Sequence, residues 1–117
     1  MKIQDLQEYF EPSLYEMSNF NSATTGLPDG TKLWVRTEPV ALPHTKYRIK
    51  ISHPQKGSAV FAIWGDVPEQ IAGDWIVTGK DLSSVVTLIQ KTYNEIRAHI
   101  DGHLDTADLV DTFRANR

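Results

Sequence analysis

The stretch Lys46-Tyr47-Arg48-Ile49-Lys50-Ile51-Ser52 decides the fold. Successive strand residues point to opposite faces, so Tyr47, Ile49 and Ile51 share one side while Lys46, Arg48, Lys50 and Ser52 share the other. Slipping this strand by one residue would bury three cations and expose three large apolar groups, and the cost of burying unpaired charge forbids it. The segment therefore reads as a strand of specified register, odd positions toward a core and even positions toward water. Pro39, Pro43 and Pro54 bracket it as breakers.

Working outward, Lys32 to Thr37 repeats the pattern, with Leu33, Val35 and Thr37 on one side and Lys32, Trp34 and Arg36 on the other. After the turn Pro54-Gln55-Lys56-Gly57, Ser58 to Trp64 holds an unbroken apolar run from Ala59 to Trp64. Such a run marks a strand covered on both faces or central in its sheet. Gly65-Asp66-Val67-Pro68 ends it, and Asp74 to Thr78 offers a shorter fourth strand in which Trp75 and Val77 oppose Ile76 and Thr78. Upstream, Leu27-Pro28-Asp29-Gly30-Thr31 is a turn signal, since proline presets one backbone angle and the Asp-Gly pair tolerates positive ones. If it closes a hairpin, Ser22 to Leu27 is a short first strand.

Helical periodicity frames these strands. Ile3, Leu6, Phe10, Leu14, Met17 and Phe20 recur at steps of three and four, an amphipathic stripe that Pro12 interrupts. Downstream, Leu82, Val85, Val86, Ile89, Tyr93, Ile96 and Ile100 form a longer stripe, with Asp81 or Ser83 available as cap and Gly102 to end it. A last helix from about Thr106 to Arg114 would bury Leu109, Val110 and Phe113 behind an Asp105 cap. The expected fold is a single α+β domain spanning residues 1–117. Its antiparallel sheet of three to five strands is packed on one face by the long C-terminal helix, with an N-terminal helix and a short C-terminal one. Leu33, Val35, Tyr47, Ile49 and Ile51 would meet the long helix, leaving the cationic side open.

Composition bounds the function classes. At 117 residues one core is expected, and 40% hydrophobic with 23% charged residues is ordinary for a folded protein. The chain has no cysteine, which excludes disulfides, thiol catalysis and thiolate metal sites. The start carries no signal-like apolar run, and no stretch approaches the roughly twenty apolar residues that span a bilayer. A cytoplasmic protein without membrane contact is the expectation.

Charge is unevenly placed. Thr31 to Gly57 contains six basic residues (Lys32, Arg36, Lys46, Arg48, Lys50 and Lys56) and the single acid Glu38. That segment is +5 within a chain of net charge -3, so the remainder is -8. Such asymmetry speaks to partners and association rather than to chemistry. Trp34 between Lys32 and Arg36 is an anchor-like position, because interfaces are enriched in tryptophan and arginine. The candidate binding residues are Lys32, Trp34, Arg36, Arg48 and Lys50, and the partner they suit is an acidic protein. The same face would also suit nucleic acid, with cations on phosphates and a ring on an unpaired base. The bland reading is a solvated sheet face. Trp64 and Trp75 read instead as core or hairpin-packing residues.

The helix, strands, helix order resembles that of double-stranded-RNA-binding domains in topology. Those domains begin their second helix with a lysine-rich segment, where this chain has Lys80-Asp81-Leu82-Ser83-Ser84, so the resemblance implies no RNA contact for any residue here.

No catalytic spacing or cofactor motif emerges. His99 and His103, with Asp101 and Asp105, resemble a zinc ligand cluster, but Gly102 breaks the shared helix face and a pair of exposed histidines is the simpler account. Asp101, Asp105, Asp108 and Asp111 lack the spacing of a calcium loop and read as a solvated helix face. His44 and His53 read as loop residues, and the glycines form no phosphate-binding pattern. A short outer strand would leave an edge on which an identical chain pairs. The sequence therefore favours a small non-enzymatic interaction or regulatory domain over a nucleic-acid-binding domain, and either over a metal-dependent enzyme.

Overall fold

The computed structural model describes residues 17–36 and 47–117. In chain order they form β1 (Met17–Phe20), α1 (Ser22–Thr25), β2 (Lys32–Arg36), β3 (Arg48–His53), β4 (Gly57–Ile63), β5 (Pro68–Gly73), α2 (Gly79–Ile100) and α3 (Thr106–Asn116). The strands make one antiparallel sheet in the order β1-β2-β3-β4-β5, with β3 at its centre.

The register follows the alternation. Val35 pairs with Ile49 and Leu33 with Ile51, and across the next seam Ile49 meets Phe61 and Ile51 meets Ala59. All six are at most 1% exposed. Helix α2 packs on this side, placing Val85, Ile89, Ile96 and Ile100 in the same core. Leu88, Thr92 and His99 are buried as well, because α3 packs beside α2 and widens its buried stripe. Helix α3 contributes Leu109 and Phe113, and the Phe113 ring meets Phe20 of β1 edge to face, centroids 5.0 Å apart. The result is the expected α+β domain, with the long helix on one face of the sheet.

The ends of the helices are set locally. Asp105 caps α3, its Oδ1 accepting from the Asp108 amide at 2.8 Å. Gly102, at φ +84°, terminates the turn after α2 in the left-handed region open to glycine. At its start α2 begins earlier than the sequence suggests. Thr78 occupies the cap position without a side-chain bond, and Asp81 lies in the first turn, paired with Lys56 at 2.9 Å. Tyr47 pins the start of β3 to the far end of α2: its hydroxyl donates to both Asp101 oxygens at 3.0 and 3.1 Å, and Arg97 lies 4.3 Å from its ring centroid.

Three expectations are corrected. Met17 and Phe20, read as the end of a helical stripe, belong to strand β1, because residues 17–20 pair along β2 and tertiary pairing overrides a local periodicity. Ser22 to Leu27 is not a strand. Asn21 Oδ1 accepts from the Thr24 amide at 3.0 Å and Gly26 turns at φ +82°, so the segment closes into the short helix α1. The fourth strand predicted at Asp74 to Thr78 lies instead at Pro68–Gly73, where a proline at the first position of an edge strand costs no ladder bond. The predicted alternation within 74–78 does hold, with Trp75 and Val77 buried and Ile76 exposed. The greater part of the N-terminal stripe, with Pro12, and Thr37, Pro39, Pro43, His44 and Lys46, lie outside the described residues.

Candidate interaction face of the sheet

On the side of the sheet away from α2, alternation places Lys32 and Trp34 of β2 next to Lys50 and Ser52 of β3. Trp34 stands opposite Lys50, and Lys32 opposite Ser52. The indole Nε1–H of Trp34 donates to Ser52 Oγ at 2.9 Å, a diagonal bond that fixes the ring across the two strands. Lys32 is exposed, while Trp34 and Lys50 are half-buried. A ring held in place with its polar edge satisfied, flanked by two ammonium groups, can pack or stack on a partner at low entropic cost. Arg36 occupies the last position of β2, opposite Met17. Its side chain lies outside the described set.

Arg48 is a correction to the expected open cationic face. It is only 8% exposed and is not without a partner. Its β4 neighbour Ala62 is 0% exposed and Val60 is 5% exposed, on the same outward side. The centre of this face is therefore covered at Arg48, Val60 and Ala62, while on one flank Lys32 is exposed and Trp34 and Lys50 are half-buried. The unbroken apolar run of β4 carried the signal. Ala62, paired beside Arg48, is sealed on this outward side as well as lying in a strand whose other residues fill the core.

The remaining candidates do not assemble. His99 is 3% exposed, with Nδ1 donating to the Leu104 carbonyl at 2.8 Å, whereas His103 is exposed. The expectation of two exposed histidines thus fails for His99. Asp101 accepts from Tyr47, Asp105 is a cap, and His53 Nδ1 accepts from the Gln55 amide at 3.1 Å. Among the described residues no group of three or more His, Cys, Asp or Glu is arranged to hold a metal ion. No described helix is long and apolar enough to cross a membrane.

The sequence reading missed the apolar exposure around β5. Trp64 is 57% exposed, its indole Nε1–H donating across the β4–β5 hairpin to Glu69 Oε2 at 2.9 Å. It is a hairpin residue but not a core one, whereas Trp75 is in the core. Parity with the outward Val60 and Ala62 is the signal that separates Trp64 from the core. No protein-family model, no curated protein and no solved structure matches the chain.

Proposed function

We propose that this chain is a small non-enzymatic interaction domain whose partner is an acidic protein, held by Lys32, Trp34 and Lys50. The observation that supports this most directly is the Trp34 indole tied to Ser52 between two lysines on adjacent strands. Arg48 belongs to the fold rather than to the contact, and Arg36 continues the same strand. A cytoplasmic setting is part of the reading, on composition alone.

The test is capture of partners from native extract by the wild-type chain and by Trp34→Ala combined with Lys50→Glu. Circular dichroism should show the fold retained while retention of the partner falls. Because Trp34 is half-buried and bonded to Ser52, the single Lys50→Glu variant, which leaves the ring in place, should also retain less partner at an almost unchanged melting temperature. Equal retention by the two proteins would end the proposal. Nucleic-acid binding through the same flank is the second reading, favoured by a partly open ring beside two cations. It requires affinity that falls steeply with salt, whereas a protein contact with an apolar centre depends on salt only modestly.

A further inference from the structure

Arg48, Val60 and Ala62 are 8%, 5% and 0% exposed, yet all three point to the side of the sheet away from α2. Helices α2 and α3 fill the core on the other side, and α1 packs against α3. On an uncovered sheet face an arginine keeps its head in water, and arginine is almost never fully buried unless paired. These exposures are those of a single chain, so the cover is made by the chain itself. Its footprint has edges. Lys32 on β2, and Trp64 and Glu69 at the β4–β5 hairpin, are exposed, while Lys50 is half-buried. The cover therefore lies over β3 and β4, toward the end where Arg48 begins its strand.

The chain outside the described residues consists of 1–16 and 37–46. Both segments join the sheet at that same end, since Met17 stands opposite Arg36 and Val35 opposite Ile49. Charge distinguishes them. Residues 1–16 carry Asp5, Glu8, Glu11 and Glu16 against Lys2, a net of -3, whereas 37–46 carry Glu38 against Lys46 and sum to zero. Pattern distinguishes them too. Ile3, Leu6, Phe10 and Leu14 recur at steps of three and four, while Pro39 and Pro43 interrupt the shorter segment. Reach is sufficient: sixteen residues span about 24 Å even as a helix, and β4 lies three seams, about 14 Å, from β1.

We infer that the outer face of β3 and β4 is the docking site of the acidic segment 1–16, its apolar stripe on Val60 and Ala62 and its carboxylates beside Arg48 and Lys50. The chain thereby carries its own acidic occupant for the basic side of the sheet. An acidic partner of the kind proposed above would compete with this segment at Lys50, a consequence that rests on that reading, whereas the docking does not.

The chain has no cysteine, so Gln4→Cys gives a single attachment point for a nitroxide in the isotopically labelled full chain. Signals of residues 48–50 and 60–62 should broaden most and those of α3 least. Adding Leu6→Ser with Phe10→Ser should abolish the broadening and shift the Val60 and Ala62 methyl signals. Adding Glu8→Lys with Glu11→Lys instead should reduce the broadening, because like charges then face Arg48 and Lys50. Circular dichroism should show the sheet and helices retained. Broadening centred on α3, or none anywhere, would overturn the inference, as would Val60 and Ala62 signals indifferent to the serine variant. A mixture of nitroxide-bearing chain with isotopically labelled chain free of nitroxide should show no broadening, and broadening there would assign the face to a second copy instead. Docking as described, with partner retention indifferent to Lys50→Glu, would sink the proposed function and leave this inference standing.

Discussion

The side-chain amide of Gln70 grips the backbone of the segment that leaves β5, with Nε2 2.6 Å from the Trp75 carbonyl and Oε1 3.1 Å from the Val77 amide. A glutamine here stands in for a neighbouring strand. Its Nε2 also donates to the Ala72 carbonyl at 3.2 Å, so one side chain satisfies the Trp75 carbonyl and the Val77 amide although 75–77 lies outside the strand. Trp75 and Val77 can then enter the core although their segment is not a strand.

Gln70→Leu should therefore destabilise the fold by about 1–3 kcal/mol, the usual cost of leaving partly buried backbone groups unpaired. Urea unfolding measures the loss. Gln70→Glu makes a sharper comparison, because an ionised carboxylate still accepts from Val77 but cannot donate to Trp75. Hydrogen exchange of the Val77 amide should accelerate in the leucine variant and change less in the glutamate one.

Gly73 sits at φ +114°, and a Cβ built there would lie 2.2 Å from the Ser58 carbonyl oxygen, which belongs to a paired strand and cannot swing aside. Gly73→Ala should cost about 2 kcal/mol or more, combining an unfavourable backbone region with a clash. Gly65→Ala is the control. That position has open space around it and no positive φ, so its melting temperature should stay close to that of the wild type.

Arg48 and Lys50 alternate in one strand on the same side of the sheet, yet their replacement should differ. Arg48→Ala removes a long stem from a site only 8% exposed and should cost about 1–3 kcal/mol, through lost packing as well as lost polar contacts. Lys50→Ala should stay within about 0.5 kcal/mol. Chemical denaturation of the two variants side by side checks the contrast, and equal costs would contradict the burial difference.

Phe113 anchors α3, fully buried and edge to face with Phe20. Phe113→Ala should lose about 3–5 kcal/mol. Phe113→Leu, which keeps most of the volume, should lose distinctly less. Calorimetry of the two variants gives the ordering, and a smaller loss for alanine would mean that α3 does not carry the core in this way.

What could be read along the chain and what could not divide by the range of the forces involved. Ile49 and Ile51 announced their side of the sheet because a one-residue slip would bury charge, and Asp105 announced the start of α3 because a cap acts within four residues. Asn21 and Gly26 carry an equally local signal for α1, and the Asp29-Gly30 pair carries a competing one for a hairpin.

The sequence by itself determined the register of the central strand, the long helix and its glycine stop, the capped final helix, and the side of the sheet on which Lys32, Trp34 and Lys50 stand. Only the tertiary structure decided that Arg48 is covered while Lys50 is not, that β5 begins at Pro68, and that Trp64 and Ile76 are held in solvent beside it. Alternation along a strand fixes the direction of a side chain. Whether water waits there depends on what distant parts of the chain pack above it, and no local pattern encodes that.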